Sequence, residues 1–385
     1  MADASESTPV RPGAALGLLG GGQLGRMFTL AARNLGFRVH ALDPGHDCPA
    51  GQVADLEIRA AYNDIYAAQA LARGVDVVTV EFENIAAETL EAVAHLRPMH
   101  PGAHVLHTVQ HRLREKRFLA DHGFPVTPFR EINTEADLCA AAAALGFPSV
   151  LKTASFGYDG KGQTKLLALS DIPAAFEALG GQQGILEAWV PFELECSVIC
   201  ARAPQGETSV WPVAENAHVR HILDTTVFPA RIPDSVAQGA QAMALDIARS
   251  LDVVGMLTVE FFLKAGGELV VNELAPRPHN SGHATIDACV TSQFEQQVRA
   301  VCGLPLGDTT LLRPAAMANL LGNLWPAQGE PAWERLLAFR DVKLHLYGKT
   351  EARPGRKMGH LTALADTPEA ALAKVLAARE ALKGE

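Results

Sequence analysis

The sequence predicts an α/β fold spread over two or three domains, and three observations carry that expectation. The chain has 385 residues, more than one small core accommodates when a domain takes roughly 100 to 200 residues. Near its start the apolar runs LGLLG, RVHALD and DVVTVEF alternate with amphipathic stretches near 23 to 35, 63 to 73 and 86 to 96, the pattern of parallel βαβ units. After HGFPVTPF the texture changes to successive short strands.

Taken in order, residues 1–13 are an acidic extension that resembles neither a signal nor a transit peptide. Residues 14–123 form a Rossmann-like domain: Gly20, Gly22 and Gly25 of LGLLGGGQLGRM satisfy G-x-G-x-x-G, and Asp43 stands about where a dinucleotide fold places its ribose acid. By itself that motif suggests a nicotinamide-dependent oxidoreductase. In residues 124–303, ADLCAAAAALG reads as a helix, followed by the strands SVLKTA, TKLLAL, GILEAWV, LECSVICA and SVWPVAE. Residues 304–385 form a small β-rich domain, with strands AAMANLLG and VKLHLYGK and an Ala-rich helix from about 367.

The formal net charge is −10 and no Lys/Arg block occurs, which argues against a nucleic-acid or anionic-membrane surface. No uncharged apolar run approaches the roughly 20 residues that span a bilayer. The expectation is a soluble, cytoplasmic protein. Its six cysteines show no C-x-x-C pair, consistent with buried thiols in a reducing compartment.

The stretch GMLTVEFFLKAGGELVVNELAPRPHNSGH, residues 255 to 283, carries the most chemistry. Two β-rich runs flank Gly266-Gly267, and a two-residue Gly-Gly loop is a strong hairpin signal. Counting outward from that loop sets Glu260 opposite Glu273. Opposed like charges weaken a sheet; at about 5 Å and an effective dielectric near 20 the repulsion is about 3 kcal/mol. A shared proton or a flanking arginine offsets it in part. A divalent cation does so most fully, and Asn272 adds an oxygen suited to Mg²⁺, which completes its shell with water and phosphates. The alternative is a solvated face paired with lysines. Downstream, Arg277, His279, Asn280 and His283 crowd one loop, donors suited to an anion beside a metal.

In SVLKTASFGYDGKGQ, residues 149 to 163, Lys152 interrupts an apolar strand. It either snorkels to the surface or meets an anion. Gly157, Gly160 and Gly162 follow with Lys161, a loop whose N–H groups could close over phosphates. It is not a P-loop, because G-x-x-x-x-G-K-[ST] is absent and a strand follows. In EAWVPFE the extended backbone could meet an adenine edge, and Glu195 could accept from ribose hydroxyls.

A lysine strand, a glycine lid, an E-x-x-V hinge and an E…NE pair in this order resemble the ATP-grasp superfamily. More narrowly, GGGQLGRM, EFEN at 81 to 84, GYDGKGQ, EAWVPFE, NELAPRPHNSGH and GRKMGHLT resemble the N5-carboxyaminoimidazole ribonucleotide synthetases of purine biosynthesis, over about residues 15 to 365. The resemblance implies a Rossmann-like preATP-grasp domain, a central ATP-grasp domain with a glycine lid, and a small C-terminal domain. It also implies that the first glycine loop meets a ribonucleotide phosphate rather than a nicotinamide, since a helix N terminus with free N–H groups binds any phosphate.

Residue by residue, the resemblance implies that Arg112, Lys152, the lid Gly157, Tyr158, Asp159, Gly160, Lys161, Gly162 and Gln163, the hinge Glu187, Ala188, Trp189 and Val190, then Glu195, His218, Asn272 and Glu273 hold ATP. Glu260 and Glu273 would bind Mg²⁺. Gly22, Gln23, Leu24, Glu81 and Asn280 would meet the substrate, with Lys349, Arg356 and Lys357 on its 5′-phosphate. Arg277, Lys161, Tyr158, Glu81 and Glu83 are the implied catalytic set, Arg277 for bicarbonate and an EFEN acid for the amine. One departure is His221, where family members commonly carry glycine before the Ile-Leu pair. The implied activity is ATP- and bicarbonate-dependent carboxylation of 5-aminoimidazole ribonucleotide through carboxyphosphate, by a homodimer. Its rivals are the formate-dependent glycinamide ribonucleotide transformylase, the nicotinamide oxidoreductase and a degenerate nucleotide-binding module.

Overall fold

In the computed structural model, residues 8–155 and 162–383 are described, and among them the strands form three sheets. The first is parallel. It contains β1 (Ala15–Leu19), β2 (Arg38–Asp43), β3 (Leu56–Arg59), β4 (Val77–Val80) and β5 (Met99–His100), in the order β3-β2-β1-β4-β5. β1 and β4 are buried at every residue, as befits strands covered on both faces. The chain reverses direction between β1 and β4, so a crevice opens at their carboxyl ends. Helix α1 (Gln23–Asn34) starts there, and α2 (Ile65–Arg73), α3 (Ala87–Ala94), α4 (Ala103–Val109) and α5 (Arg112–Asp121) follow in the chain. The alternation read from the sequence gives β1, β2, β4 and α1 to α3; β3 and β5 are too short and too polar to register.

The second sheet is antiparallel and smaller: β6 (Phe129–Ile132), β7 (Ser149–Thr153), β8 (Gln163–Leu166) and β9 (Gly184–Ala188), in the order β6-β9-β7-β8. Helices α6 (Glu135–Leu145) and α7 (Ile172–Ala178) bury Leu138, Ala142 and Ile172 against Leu151, Leu166 and Leu186 of the strands. Thr134 and Asp137 close a reciprocal cap at the start of α6.

The third sheet holds β10 (Phe192–Arg202), β11 (Thr208–Val210), β12 (Ala214–Val219) and β13 (Ile222–Phe228), then β14 (Gly255–Lys264) and β15 (Leu269–Ala275) beyond helix α8 (Asp234–Ser250). Helices α9 (Thr285–Ala288) and α10 (Gln293–Val301) lead to β16 (Ala315–Leu321), α11 (Trp333–Leu337), β17 (Val342–Leu346), β18 (Lys357–Leu364) and α12 (Pro368–Glu380). Its path is β15-β14-β10-β12-β13-β16-β18-β17, with β11 beside β10. The stretch SVWPVAE is two strands instead of one, because Pro212 has no N–H for a ladder. Helix α8, seventeen residues long and absent from the expectations above, lays Ala240, Ala244 and Ile247 on Val198 and Val259. The C-terminal strands extend this sheet, since β16 pairs with β13 through Thr225–Ala318 to Phe228–Ala315. No described helix is long and apolar enough to cross a membrane.

Candidate active site

The turn between β14 and β15 has three residues, not the expected two. The Lys264 N–H donates to Glu268 O at 2.8 Å, the Gly267 N–H donates back to Lys264 O at 3.1 Å, and Gly266 and Gly267 sit at φ 84° and 90°. Leu263, Phe262 and Phe261 therefore pair with Leu269, Val270 and Val271, one place off the register counted from a two-residue loop. A β-bulge then absorbs Asn272, and Glu260 faces Glu273 after all. Two departures cancel, leaving the carboxylates as direct cross-strand neighbours.

The bulge has an anchor that the motif analysis missed. Lys116 of α5, 1% exposed, donates to Asn272 O at 2.8 Å and to Val271 O at 3.2 Å. Successive carbonyls of a regular strand point to opposite edges; one ammonium reaches both because the bulge turns them together. The sequence held a signal: Leu113, Lys116 and Leu119 share a helix face at i, i+3 and i+6, which sets a lysine on an apolar stripe.

Each acid also has a basic neighbour. His279 Nε2 lies 3.0 Å from Glu260 Oε1, and Arg112 Nη1 lies 3.3 Å from Glu273 Oε2. Burial pushes the Glu260 carboxyl up, but the His279 imidazole and its hydrogen bond prevail and hold it at about 2. The second oxygen of each carboxylate accepts no hydrogen bond from a described residue. That donor set, two adjacent hard oxygens, fits a divalent cation that takes its remaining ligands from water and phosphate. Among the described residues no cluster of three or more His, Cys, Asp or Glu gathers as an all-protein metal site.

Lys152 stands in the middle of β7, 8% exposed, and meets Glu187 of β9 at 2.9 Å. It is buried against an anion rather than snorkelling. Burial pushes Glu187 up, but Lys116 and Lys152 outweigh it and hold the carboxyl at about 2. Beyond Glu187, the N–H groups of Ala188 and Trp189 donate to Pro128 O and Pro148 O, so Val190 has the hinge N–H that is unengaged among the described residues. Glu195 Oε2 accepts from His218 Nδ1 at 2.8 Å. Burial lowers the His218 pKa, yet the Glu195 hydrogen bond and charge raise it overall. Gly162 and Gln163 lead into β8; Gly157, Tyr158, Asp159, Gly160 and Lys161 lie outside the described residues.

At the first glycine loop the Gly21, Gly22 and Gly25 N–H donors are engaged from within. Gly21 N–H donates to Asp43 Oδ2 at 2.8 Å, and Asp43 also accepts from the Tyr62 hydroxyl. Gly22 and Gly25 N–H both donate to Glu81 at 2.6 Å. The acid expected on a nicotinamide ribose is thus committed to the protein's own backbone. Two residues on, Glu83 is gripped by Arg277 through Nε at 2.6 Å and Nη2 at 3.3 Å. Burial favours the neutral form of Glu83, and Arg277 overrides it, depressing its pKa. With Arg277 Nη1 also donating to Pro278 O, two guanidinium N–H groups remain for an anion.

Lys349 crosses from the C-terminal segment to donate to Gln23 Oε1 at 2.7 Å and Lys357 O at 2.8 Å. Burial, then repulsion from Arg356 and Lys357, lowers its pKa to about 8. Three cations thus gather where the C-terminal segment meets the start of α1. Asn280 is 6% exposed, and neither of its side-chain amide atoms has a partner among the described residues. The φ angles of Arg220 and His221, 51° and 64°, make the β12–β13 connection a primed turn, a conformation that favours glycine.

Comparison with known proteins matches residues 14–110 to a ribonucleotide synthetase preATP-grasp domain, 117–294 to an ATP-grasp domain and 315–374 to a phosphoribosylaminoimidazole carboxylase C-terminal domain. The N5-carboxyaminoimidazole ribonucleotide synthase of Bacillus subtilis is 45% identical over 353 residues, 92% of each chain. That of Brucella melitensis is 44% identical, over 93% of this chain and 98% of the relative. A crystal structure of an N5-carboxyaminoimidazole ribonucleotide synthetase with ADP superposes with a TM-score of 0.91 at 46% identity, covering 97% of this chain and 98% of the other. The Aspergillus clavatus synthase in complex with ADP and 5-aminoimidazole ribonucleotide gives 0.89 at 32% identity, covering 96% and 98%.

Proposed function

The chain belongs to the N5-carboxyaminoimidazole ribonucleotide synthase family of ATP-grasp ligases, and from that premise we propose how its residues use ATP to carboxylate 5-aminoimidazole ribonucleotide in purine biosynthesis. The observation that carries the assignment of roles is the Glu260–Glu273 pair at the bulge, facing the Lys152–Glu187 strand pair through Arg112 and Lys116.

In this reading Lys152, Arg112, the lid Gly157 to Gln163, the hinge Glu187 to Val190, Glu195, His218 and Asn272 hold ATP. Glu260 and Glu273 hold Mg²⁺, which when bound supplies positive charge to the phosphate oxygens. Bicarbonate attacks the γ-phosphate, giving carboxyphosphate and ADP. Arg277, its guanidinium oriented by Glu83, offers its two remaining N–H donors to that anion. Charge on the transferred phosphoryl is met by Lys152 and lid residues including Lys161, so the protein's contribution is positioning and electrostatics. The ribonucleotide lies across Gly22, Gln23, Leu24, Glu81 and Asn280, its 5′-phosphate on Lys349, Arg356 and Lys357; the buried, unpartnered Asn280 amide supports that side of the site. With Tyr158 beside it, the exocyclic amine attacks the activated carboxyl carbon, the bond from that carbon to the phosphate oxygen breaks and phosphate leaves, and an acid of the EFEN stretch, Glu81 or Glu83, accepts the amine proton.

The reading includes domains at 14–123, 124–303 and 304–385 behind the 1–13 extension, a homodimer, and a cytoplasmic setting supported by six free thiols. The deciding experiment is ADP production with Mg-ATP and bicarbonate, with and without 5-aminoimidazole ribonucleotide, alongside formate with glycinamide ribonucleotide. ADP formation dependent on the aminoimidazole and bicarbonate is expected. Turnover with the formate pair alone would overturn it.

A further inference from the structure

One side chain fills the space of all three fingerprint glycines. A Cβ added at Gly20 would lie 2.3 Å from Glu81 Cγ, at Gly22 2.4 Å from Glu81 Oε1, and at Gly25 2.9 Å from Glu81 Oε2. No real Cβ tolerates such distances, so glycine at each position is what admits Glu81. The carboxylate uses the room it is given: Oε1 accepts the Gly22 N–H and Oε2 the Gly25 N–H. Burial, with the nearby Asp43 charge, raises the Glu81 pKa, while the Gly25 and Gly22 N–H groups and Arg277 favour the carboxylate, which accepts on both oxygens. It sits on the first turn of the twelve-residue α1, where unpaired N–H groups and the helix dipole favour negative charge.

The same exchange occurs next door, where Gly21 N–H and the Tyr62 hydroxyl are taken by Asp43. In a dinucleotide fold these donors meet pyrophosphate and the acid meets ribose. Here the chain's own acids meet the chain's own donors. A phosphoanion arriving at the same amides would find them spent and would face the Glu81 charge at contact distance.

We propose that Glu81 is the specificity-determining residue of this loop, an internal acceptor that occupies the Gly22 and Gly25 N–H groups at the N terminus of α1 and shuts pyrophosphate out of that seat. The ribonucleotide's 5′-phosphate is therefore left to Lys349, Arg356 and Lys357, a consequence that rests on the function proposed above; the exclusion itself does not. The G-x-G-x-x-G pattern is preserved because a carboxylate on a neighbouring strand end needs the same bare backbone that a pyrophosphate needs.

The test is calorimetric binding of inorganic pyrophosphate to the full chain saturated with ADP, comparing wild type with Glu81→Ala and Glu81→Gln. The expected result is at least tenfold tighter pyrophosphate binding by Glu81→Ala, and a thermal midpoint raised by acetate in that variant alone, as the small carboxylate refills the vacated seat. Should Glu81→Ala fail to fold, Glu81→Gln, which keeps the bulk and removes the charge, is expected to gain affinity in the same direction. Pyrophosphate affinity equal to wild type in every folded variant would overturn the proposal. Because the assay reads binding and not turnover, a failed carboxylation assay would leave its outcome intact.

Discussion

Replacing Lys152 by Met removes the ammonium 2.9 Å from Glu187 while keeping much of the side-chain volume in β7. Breaking a buried pair from one side costs roughly 3 to 5 kcal/mol, since the abandoned charge stays in the interior. Lys116 and Arg112 also face Glu187, so the low end, about 3 kcal/mol at pH 7, is expected. The pH dependence sharpens the prediction. Glu187 titrates at about 2 in the folded protein against an ordinary 4.5, a difference that corresponds to ~3 kcal/mol. A depressed carboxyl contributes stability that is present above 4.5 and lost as pH falls through 2. In Lys152→Met the Glu187 carboxyl moves back toward its ordinary range, so the gap between wild type and variant should be widest near neutrality and narrow toward pH 3. Urea unfolding at both pH values, with Glu187→Gln and the double variant, measures this. A loss under about 0.5 kcal/mol at pH 7, or a gap that stays constant with pH, would refute the buried-pair argument.

Lys116→Met should loosen the bulge at Asn272 and raise the Mg²⁺ concentration needed for half-maximal ADP formation severalfold; direct Mn²⁺ binding should weaken in parallel, with the Michaelis constant for the aminoimidazole nearly unchanged. Lys349 titrates at about 8, so kcat/KM for 5-aminoimidazole ribonucleotide should fall as pH rises through that value and the ammonium is lost, and Lys349→Arg should remove this limb from the profile. His221→Gly should stabilise the chain by about 1 kcal/mol in urea, because φ 64° is strained for any residue with a Cβ; an unchanged or lower midpoint would contradict the primed-turn assignment.

The βαβ alternation was legible because strands covered on both faces are written as mainly apolar runs, as β1 and β4 are, and because β2 keeps Val39, Ala41 and Leu42 buried. β3 and β5 were not, since LEIR and MH carry their pairing in the backbone alone. The carboxylate pair was legible through spacing, yet the spacing was counted along the wrong ladder: no local signal distinguishes a two-residue Gly-Gly loop from a three-residue one followed by a bulge. Lys116 was overlooked because a lone lysine in a helix ordinarily faces water, and the Glu115 beside it masks the stripe. Glu81 was legible as a polar residue at a strand end and illegible as the tenant of the glycine loop, because its partners lie 59 and 56 residues away. Long-range hydrogen bonds to backbone leave no trace in composition or periodicity.

The edge-to-edge union of β13 with β16 has a mechanical consequence. Because the ladder is continuous from Glu273 on β15 to Lys357 on β18, the Glu260–Glu273 pair and the Lys357 end of β18 belong to one continuous sheet. Prising them apart would tear a row of backbone hydrogen bonds, each worth about 1 kcal/mol net. The small four-stranded sheet shares no strand with this ladder, so the Lys152–Glu187 pair is carried on a separate sheet.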